Sequence, residues 1–203
     1  VEFMVRADSG EDKTVICPGC GYGANIEKAV SYLEPVVDED GPGEPEKFAT
    51  PGIRTIAELA DSGHLANNQI KTMVYVIDRQ ITLALVRGDH QLNEQKLADA
   101  TGAVLIRQAR SEETLDFLGA EPGSLGAVGV SGCPIYADSA LQGRTNMVTG
   151  ANENDYHFSG VSVERDLNVD EWVDLREVQS GDLCLTCMEP LDIVPTIESG
   201  HIF

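Results

Sequence analysis

The sequence predicts an α+β (mixed α/β) fold, a sheet with surrounding helices and a small module built from the two chain ends. Three observations support this class. Short segments with strand composition alternate irregularly with segments that begin with helix-capping residues. The sequence has no repeat period. The 203 residues, 42% of them hydrophobic, suffice for one good core with some surplus for a second module.

Before residue 48 the chain has weak secondary-structure signals. Strands are predicted for Glu2–Asp8 and Thr14–Cys17, with a turn at residues 9–12 between them. A helix is predicted for Ala24–Leu33. Pro35–Lys47 is predicted to be a linker, because its prolines, glycines and acids can bury almost nothing. A new unit is therefore expected to begin near residue 48.

The next segment has clear helix and strand signals. Thr55 and Glu58 have the spacing of a capping box, so a helix is predicted to run to about Ser62. Two strands, Met73–Ile77 and Ile81–Val86, are separated by a short turn. The sequence therefore predicts a helix followed by a strand pair.

From residue 93 onwards helices and strands are mixed. Asn93 and Ser111 are predicted to cap helices over Glu94–Ala100 and up to about Leu118, with a buried strand at Ala103–Ile106 between them. Further short strands are predicted at Pro134–Ala137, Asn146–Val148 and Val161–Val163, and the tail from about Asp170 is again strand-like.

The charge of the chain is strongly negative. Fourteen Lys and Arg against 34 Asp and Glu give a formal charge of −20, which disfavours independent attraction to a polyanion such as RNA. The alternative is that the charge only keeps the surface soluble. No run of about 18 apolar residues and no signal peptide is seen, so a soluble cytosolic protein without membrane contact is expected. The apolar ends, Val1 and residues 201–203, suggest a piece of a longer chain.

Four of the five cysteines form two C-x-x-C pairs, Cys17 with Cys20 and Cys184 with Cys187. Each pair can turn two thiolates toward one point, and two pairs complete the tetrahedral sulfur site that zinc favours. Gly21 follows the first pair, whereas the second lacks this glycine. A structural zinc site that joins the chain ends is therefore predicted, with free thiols or a redox pair as alternatives. Cys133 is interpreted as small apolar filler.

One glycine-rich loop and one lysine are candidates for chemistry. Gly123–Ala127 lies between a segment with helix signals and a segment with strand signals. Its backbone N–H groups suit the stabilisation of an oxyanion. An ordinary turn between helix and strand is the alternative. Lys71 opens an apolar strand, where its ammonium group suits a phosphate or a carbonyl at the mouth of a pocket, or is simply solvated.

Eight strings in order along the chain resemble the segment between the second and third signature motifs of bacterial class II prolyl-tRNA synthetases. They are FMVRADSGED from Phe3, YGANIEKA from Tyr22, TPGIRTIAEL from Thr50, IKT from Ile70, LVRGDHQLNE from Leu85, PGSLG from Pro122, GAN from Gly150 and GHIF from Gly200. The resemblance implies that residues 48–170 are an editing insertion similar to free-standing aminoacyl-tRNA deacylases. Residues 1–47 and 171–203 would then be edges of the aminoacylation domain.

The resemblance also implies an activity and its residues. The insertion would hydrolyse tRNA(Pro) mischarged with alanine, using water with help from a tRNA hydroxyl, and a pocket too small for the proline ring would give specificity. The catalytic positions would be Lys71 and the loop residues Gly123, Ser124, Leu125 and Gly126. Ala127, the last residue of this loop, would contact the substrate. It stands where the family's loop has proline, which puts the rigidity of the loop in question.

Three further residues match positions that line the family's editing pocket: Thr50, Asp138 and His157. Asp138 would hold the substrate's α-ammonium group and His157 would contact the substrate or a neighbouring loop. The alternatives are a turn or cap residue for Thr50, a helix cap for Asp138 and a structural histidine for His157.

The family implies further partners for the parent enzyme. It would ligate proline to tRNA(Pro) with ATP and Mg²⁺, bound mostly outside this chain, and would be a homodimer. The present chain would bind the acceptor end of tRNA(Pro) and the rest of the synthetase. Two other readings stay open, namely an insertion that has lost editing and now only supports the synthetase, and an unrelated interaction domain with a zinc ribbon.

Overall fold

The computed structural model describes the backbone of residues 2–201 and the side chains of residues 3–200. Val1, Ile202 and Phe203, which belong to the predicted apolar ends, lie outside the described residues. The chain divides into two compact units, one formed by Val1–Pro35 with Glu177–Phe203 and the other by Val36–Arg176. In the described part of the chain, no helix has the length and apolar character needed to cross a membrane.

The predicted α+β class is confirmed, since short helices accompany three sheets. The strands are β1 (Glu2–Arg6), β2 (Asp12–Ile16), β3 (Gly23–Asn25), β4 (Glu46–Ala49), β5 (Ile70–Ile77), β6 (Gln80–Arg87), β7 (Ile106–Gln108), β8 (Ile135–Asp138), β9 (Met147–Gly150), β10 (Tyr156–Val161), β11 (Glu171–Val173) and β12 (Asp192–His201). The helices are α1 (Ile56–Asp61), α2 (Glu94–Thr101), α3 (Ser111–Leu118) and α4 (Val163–Asp166), with 3-10 turns at Ala66–Asn68 and Ser139–Leu141.

The unit made from the two chain ends contains an antiparallel sheet in the order β1-β12-β2-β3. Its small core includes Val15, Val178 and Leu191, together with the buried cysteines Cys17 and Cys184. With so few apolar residues, this core contributes only modest hydrophobic stabilisation.

The helix predicted for Ala24–Leu33 is wrong. Residues 23–25 form β3, and residues 26–28 form a single turn. The Asn25 side-chain oxygen accepts the Glu27 N–H at 3.1 Å, and the Asn25 carbonyl accepts the Ala29 N–H at 2.9 Å. Asparagine favours such local turns because its side chain competes with the backbone for hydrogen bonds.

The larger unit contains a five-stranded sheet in the order β11-β8-β6-β5-β7 and a three-stranded antiparallel sheet in the order β4-β10-β9. Strands β5 and β6 form the predicted hairpin, and β8 runs parallel to β6. Alternate residues of β6 belong to two cores, with Leu83 and Leu85 in one and Ala84 and Val86 in the other. This sheet is therefore buried on both faces, which explains the nearly continuous apolar sequence of β6.

Most predicted elements of this unit are confirmed, including the capping box of Thr55 and Glu58 and the Asn93 cap. The buried strand at Ala103–Ile106 is wrong, because the strand begins at Ile106 and Val104 is 86% exposed. The Asp78 carboxylate accepts the N–H groups of Val104 and Leu105, so these residues form a side-chain-capped turn.

Two element ends also differ from the prediction. Ser111 is the first helical residue of α3 and not its cap, since Arg110 occupies the cap position and donates its N–H to Glu113 at 2.8 Å. The strand predicted for Val161–Val163 ends at Val161, and Val163 begins α4.

The predicted linker is more structured than its composition indicates. Its last two residues, Glu46 and Lys47, begin β4. The Asp38 carboxylate accepts bonds from Nε and Nη2 of Arg144 and from the Thr145 N–H, and both charged side chains are 5% exposed. Burial acts to raise the pKa of Asp38, but the Arg144 guanidinium and the Thr145 N–H hold it below its usual value. The linker is therefore tied to the larger unit by a buried ion pair.

Candidate functional site

The larger unit contains a cavity of about 260 Å³. Its walls come from helix α1 and the residues just before it, the first residues of β5, two residues of the glycine loop, the end of β9, and His157 on β10. The cavity is smaller than the roughly 300–1,000 Å³ typical of sites for drug-sized ligands. It therefore suits a small group attached to a larger molecule.

The glycine loop lies directly against the end of β9. A Cβ atom on Gly126 would collide with the carbonyl oxygen of Gly150, and a Cβ atom on Gly150 would collide with the backbone of Ser124 and Leu125. No side chain larger than hydrogen fits at either position without moving backbone. The close contact of two backbone segments thus shapes this wall of the cavity.

Asn152 fixes the same loop by three hydrogen bonds. Its side-chain amide accepts the Gly126 N–H at 2.8 Å and donates to the Gly126 carbonyl at 3.0 Å, and its own N–H donates to the Ser124 carbonyl at 2.9 Å. Its φ of 53° lies in the left-handed region, which asparagine adopts more readily than most residues. Hydrogen bonds from a single residue therefore hold the loop in place.

The backbone N–H groups of the loop are not equivalent. Ser124 donates its N–H to the Glu121 carbonyl at 3.2 Å, and the Gly126 N–H is taken by Asn152. For the N–H of Leu125, no acceptor is found within residues 2–201, and Leu125 lines the cavity. Of the loop residues predicted to be catalytic, Gly123 and Leu125 reach the cavity.

Ser124 and Ala127 point away from this space. Ser124 is 1% exposed, and its hydroxyl accepts the Asp155 N–H at 3.2 Å. Ala127, predicted to contact substrate, packs in the main hydrophobic core. Neither residue belongs to the cavity lining.

Lys71 lines the cavity that the glycine loop also lines. It is the second residue of β5, and its Nζ donates to the His90 carbonyl at 2.7 Å. Burial lowers the pKa of Lys71, while the nearby Asp89 carboxylate acts to raise it. The structure thus brings the two elements predicted for catalysis to one space.

His157 also lines the cavity, and a hydrogen bond to a buried threonine fixes its ring. Its Nδ1 lies 2.7 Å from the Thr50 hydroxyl, and both residues are buried. Burial, followed by the charges of His64 and Arg54, lowers the pKa of His157, so the ring is neutral at pH 7. Thr50 does not line the cavity, and its hydroxyl is hydrogen-bonded to His157, which does.

Asp138 lies elsewhere. One carboxylate oxygen accepts the Ala140 N–H at 2.9 Å, and the other accepts the N–H groups of Leu175 and Arg176 at 2.7 and 3.0 Å. Burial raises the pKa of Asp138, against the effect of these N–H donors. Asp138 does not line the cavity and caps the 3-10 turn that follows β8, which is the alternative named for it above.

Several cavity residues were not predicted from sequence as site residues. Gly150 lies in the string GAN, which also contains Asn152, the residue that holds the glycine loop, and Arg54, whose guanidinium pairs with Asp155 at 2.7 Å, lies in the string TPGIRTIAEL. The signal was present, but only the packing shows what these residues do. Thr72, which also lines the cavity, lies in the string IKT, whereas Gln69 lines the cavity but lies in none of the strings.

The four cysteines of the two pairs form one cluster in the other unit. Their Sγ atoms all lie within 4.8 Å of one another, with Cys17 3.3 Å from Cys187 and Cys20 3.7 Å from Cys184. Four sulfurs bound to zinc at about 2.3 Å in a tetrahedron would be about 3.8 Å apart. The short contacts join one pair to the other, so the cluster fits a single shared metal ion.

The two cysteine turns have the same backbone geometry. Gly21 donates its N–H to the Cys17 carbonyl at 3.0 Å, and Met188 donates its N–H to the Cys184 carbonyl at 3.0 Å. Gly21 and Met188 both have positive φ, 77° and 62°. Hydrogen bonds from the N–H groups of Thr186 and Cys187 lower the pKa of Cys184 to about 6, which favours the thiolate that binds metals.

Known proteins resemble the chain in both sequence and fold. The family model described as "Aminoacyl-tRNA editing domain" matches residues 50–167. A proline–tRNA ligase of Anaeromyxobacter sp. (strain Fw109-5) is 48% identical over 100% of this chain, and one of Ligilactobacillus salivarius is 40% identical over 100%. In both cases the chain spans 36% of the relative's length.

A solved structure assigned as a trans-editing enzyme for prolyl tRNA synthetase aligns with 66% of this chain and 87% of its own, with a TM-score of 0.58 and 25% identity. The predicted resemblance to prolyl-tRNA synthetases and to editing deacylases is therefore confirmed. The matched residues 50–167 include the glycine loop, Lys71 and His157. The chain belongs to the aminoacyl-tRNA editing domain family.

Proposed function

We propose that the larger unit hydrolyses Ala-tRNA(Pro) and that it does so as the editing insertion of a proline–tRNA ligase. One observation carries the proposal, namely that Lys71 and Leu125, whose N–H has no acceptor within residues 2–201, line a single small cavity. Both are groups that stabilise negative charge developing on an ester oxygen.

The reaction needs little from the protein beyond positioning. A water oxygen attacks the ester carbonyl carbon, and the carbonyl oxygen becomes an oxyanion that accepts the Leu125 N–H. When the tetrahedral intermediate collapses, the bond between carbon and ribose oxygen breaks, the ribose oxygen takes up the proton that the attacking water gives up, and alanine and tRNA are released. His157 is neutral and borders the cavity, where it contacts the substrate, while a tRNA hydroxyl assists the water.

Charge supports the placement of the tRNA end. The chain carries a formal charge of −20, yet the charged side chains that line the cavity in the described part of the chain are the cations Arg54 and Lys71. These cations attract the terminal phosphates locally, while the rest of the surface does not. The isolated chain therefore binds tRNA weakly, and the remainder of the synthetase holds the substrate.

Specificity follows from the size of the cavity. A synthetic site separates alanine from proline only through the ~1–3 kcal/mol typical of a missing methylene or two. In this proposal the alanine methyl group lies against the part of the wall that backbone contact fixes, at Gly126 and Gly150, where the larger proline ring would collide. We infer that this second selection is the purpose of the insertion.

A second candidate function is a structural insertion that has lost editing. Ala127 favours it, because the family's loop carries proline at that position. The bonds from Asn152 to Gly126 and Ser124 supply the rigidity that the proline would give, so we favour retained hydrolysis.

For the smaller unit we propose a structural zinc ion bound by Cys17, Cys20, Cys184 and Cys187. Bound zinc would fix the two cysteine turns to each other and so join the chain ends. We further propose that residues 1–47 and 171–203 are edges of the aminoacylation domain, flanking an editing domain at 48–170. The ATP, Mg²⁺ and proline sites and the homodimer contacts belong to the rest of the parent enzyme.

The proposal is tested by comparing two charged tRNAs. Under single-turnover conditions with protein in excess, we expect release of alanine from Ala-tRNA(Pro) at least about a hundredfold faster than release of proline from Pro-tRNA(Pro), because a steric sieve rejects the larger group. Spontaneous hydrolysis in the same buffer is subtracted from each rate. Alanine release no faster than in buffer, by protein with a normal thermal unfolding transition, would select the structural insertion.

A further inference from the structure

Gln69 is a buried side chain at the cavity that uses only half of its hydrogen-bonding groups. It is 1% exposed and lies just before β5, among the residues that line the cavity. Its Nε2 donates to the carbonyl oxygens of Ile56 at 2.9 Å and His64 at 2.7 Å. These two bonds use both amide hydrogens.

The same bonds fix which end of the amide faces away from α1. A reversed amide would place Oε1 against two carbonyl oxygens, with no hydrogen between them, so the orientation is determined by chemistry. The side-chain atom left over is therefore an acceptor. Within residues 2–201, Oε1 has no hydrogen-bond donor.

Thr72 presents a second acceptor to the same cavity. Its Oγ1 is buried and likewise has no partner among the described residues. Native proteins rarely leave a buried polar atom unsatisfied, so two such atoms on one cavity indicate that a ligand or a water satisfies them. Gln69 Oε1 can only accept, so the ligand must supply at least one hydrogen-bond donor, while the Thr72 hydroxyl can accept or donate.

The aminoacyl part of the substrate of the proposed function has one donor group. The methyl group of alanine donates nothing and the ester carbonyl only accepts, whereas the α-amino group carries several N–H bonds. Among the described residues that line the cavity, none is a carboxylate, and Asp138 is bound to backbone N–H groups elsewhere. A neutral acceptor must then receive the amino group.

We infer that Gln69 Oε1 and Thr72 Oγ1 together accept the α-amino group of the aminoacyl ester and so set its position in the cavity. This inference rests on the proposed hydrolysis and adds to it the residues that bind the amino group of the amino acid. It gives Gln69 and Thr72 a role in substrate selection: esters of simple carboxylic acids, which lack the amino group, are poor substrates.

The test compares tRNA(Pro) carrying alanine with tRNA(Pro) carrying propionate, which is alanine without its amino group. Each enzymatic rate is divided by the spontaneous rate for the same ester, because the amino group also changes intrinsic reactivity. We expect the parent chain to prefer the alanyl ester about tenfold or more, as typical for hydrogen bonds to a polar or charged group. Equal normalised rates in the parent would overturn the inference and leave the proposed function intact.

Two variants locate the effect. Thr72→Val keeps the shape of the side chain and breaks no bond to the described residues, so we expect this variant to fold like the parent. We expect its preference for the alanyl over the propionyl ester to be about threefold lower than in the parent. Gln69→Met also loses the bonds to Ile56 and His64, and its preference falls to near one. The ratio of two esters measured on one preparation does not depend on the folded fraction.

The outcomes are separable. If Thr72→Val keeps the full preference, or if Gln69→Met slows both esters equally, the acceptors serve a water or a ribose hydroxyl and the inference is overturned. If the parent hydrolyses neither ester, the proposed function fails, and the inference fails with it.

Discussion

The wall of the cavity and the cysteine cluster are both made from tight backbone turns, but different forces hold them. At the cavity, Gly126 and Gly150 bring two backbone segments into contact, and Asn152 completes the hydrogen bonds of the loop. At the cluster, four thiols lie within 4.8 Å of one another beside a small core, with no disulfide between them. The cavity is therefore shaped before any ligand binds, whereas the proposed zinc ion would hold the cluster together.

The largest expected effect comes from removing one metal ligand. In Cys184→Ser we expect stoichiometric zinc to be lost and, with it, the hydrogen-exchange protection of β2 and β3, because structural zinc binding contributes on the order of 10 kcal/mol to folding. Release of alanine continues, since the residues that line the cavity all lie in 36–176. Metal analysis, hydrogen exchange and the deacylation assay measure the three quantities.

The matched control is Cys133→Ser, which leaves the cluster intact because Cys133 lies in the other unit. If Cys184→Ser keeps full protection of β2 and β3, then the smaller unit is held by its own packing and the contrast with the cavity disappears.

The next effect concerns the cavity wall. A methyl group at position 150 collides with the loop backbone, so Gly150→Ala displaces the Leu125 N–H. We expect deacylation to fall about a hundredfold, as is typical when a catalytic group moves by about 1 Å. Gly43→Ala is the control, since a Cβ atom there meets nothing within 4 Å. Gly150→Ala with activity within twofold of the parent would show that the wall is not rigid.

The smallest effect is a dependence of stability on pH. Burial, His64 and Arg54 lower the pKa of His157, so the unfolded chain binds a proton more readily than the folded one. The stabilisation is complete above the unfolded histidine pKa of about 6.5 and decreases as pH falls below it toward the lowered folded value. We expect the urea concentration at the midpoint of unfolding of the larger unit, residues 36–176, to be lower at pH 5.5 than at pH 7.5. In His157→Gln we expect a smaller difference between the midpoints at the two pH values. An equal difference in both proteins would assign the pH effect to other groups.

The sequence predicts the fold better than it predicts the site. Local signals sufficed where they are unambiguous, as for the capping box of Thr55 and Glu58 and the β5–β6 hairpin. Local signals failed where a residue distant in sequence determines the conformation. The Asp78 carboxylate accepts the N–H groups of Val104 and Leu105, and the Asp38 carboxylate pairs with Arg144. Composition alone cannot show such long-range pairs.

The roles of the site residues likewise depend on contacts between residues that are distant in sequence. Lys71, His157 and the glycine loop follow from the family resemblance, and the structure places Lys71, His157, Gly123 and Leu125 on one cavity. The role expected for Asp138 depends on the direction of its side chain, which its neighbours Ala140, Leu175 and Arg176 determine. The unsatisfied acceptor on Gln69 is visible only once the partners of the whole side chain are known.

The most direct test of the central claim replaces Lys71 by alanine and measures alanine release from Ala-tRNA(Pro), with the exposed Lys13→Ala as control. Removing a charge that stabilises the oxyanion costs about 10²–10³ in rate. The predicted result is a loss of that size in Lys71→Ala and parental activity in Lys13→Ala. A Lys71→Ala protein as active as the parent would contradict the claim that this cavity carries out the hydrolysis.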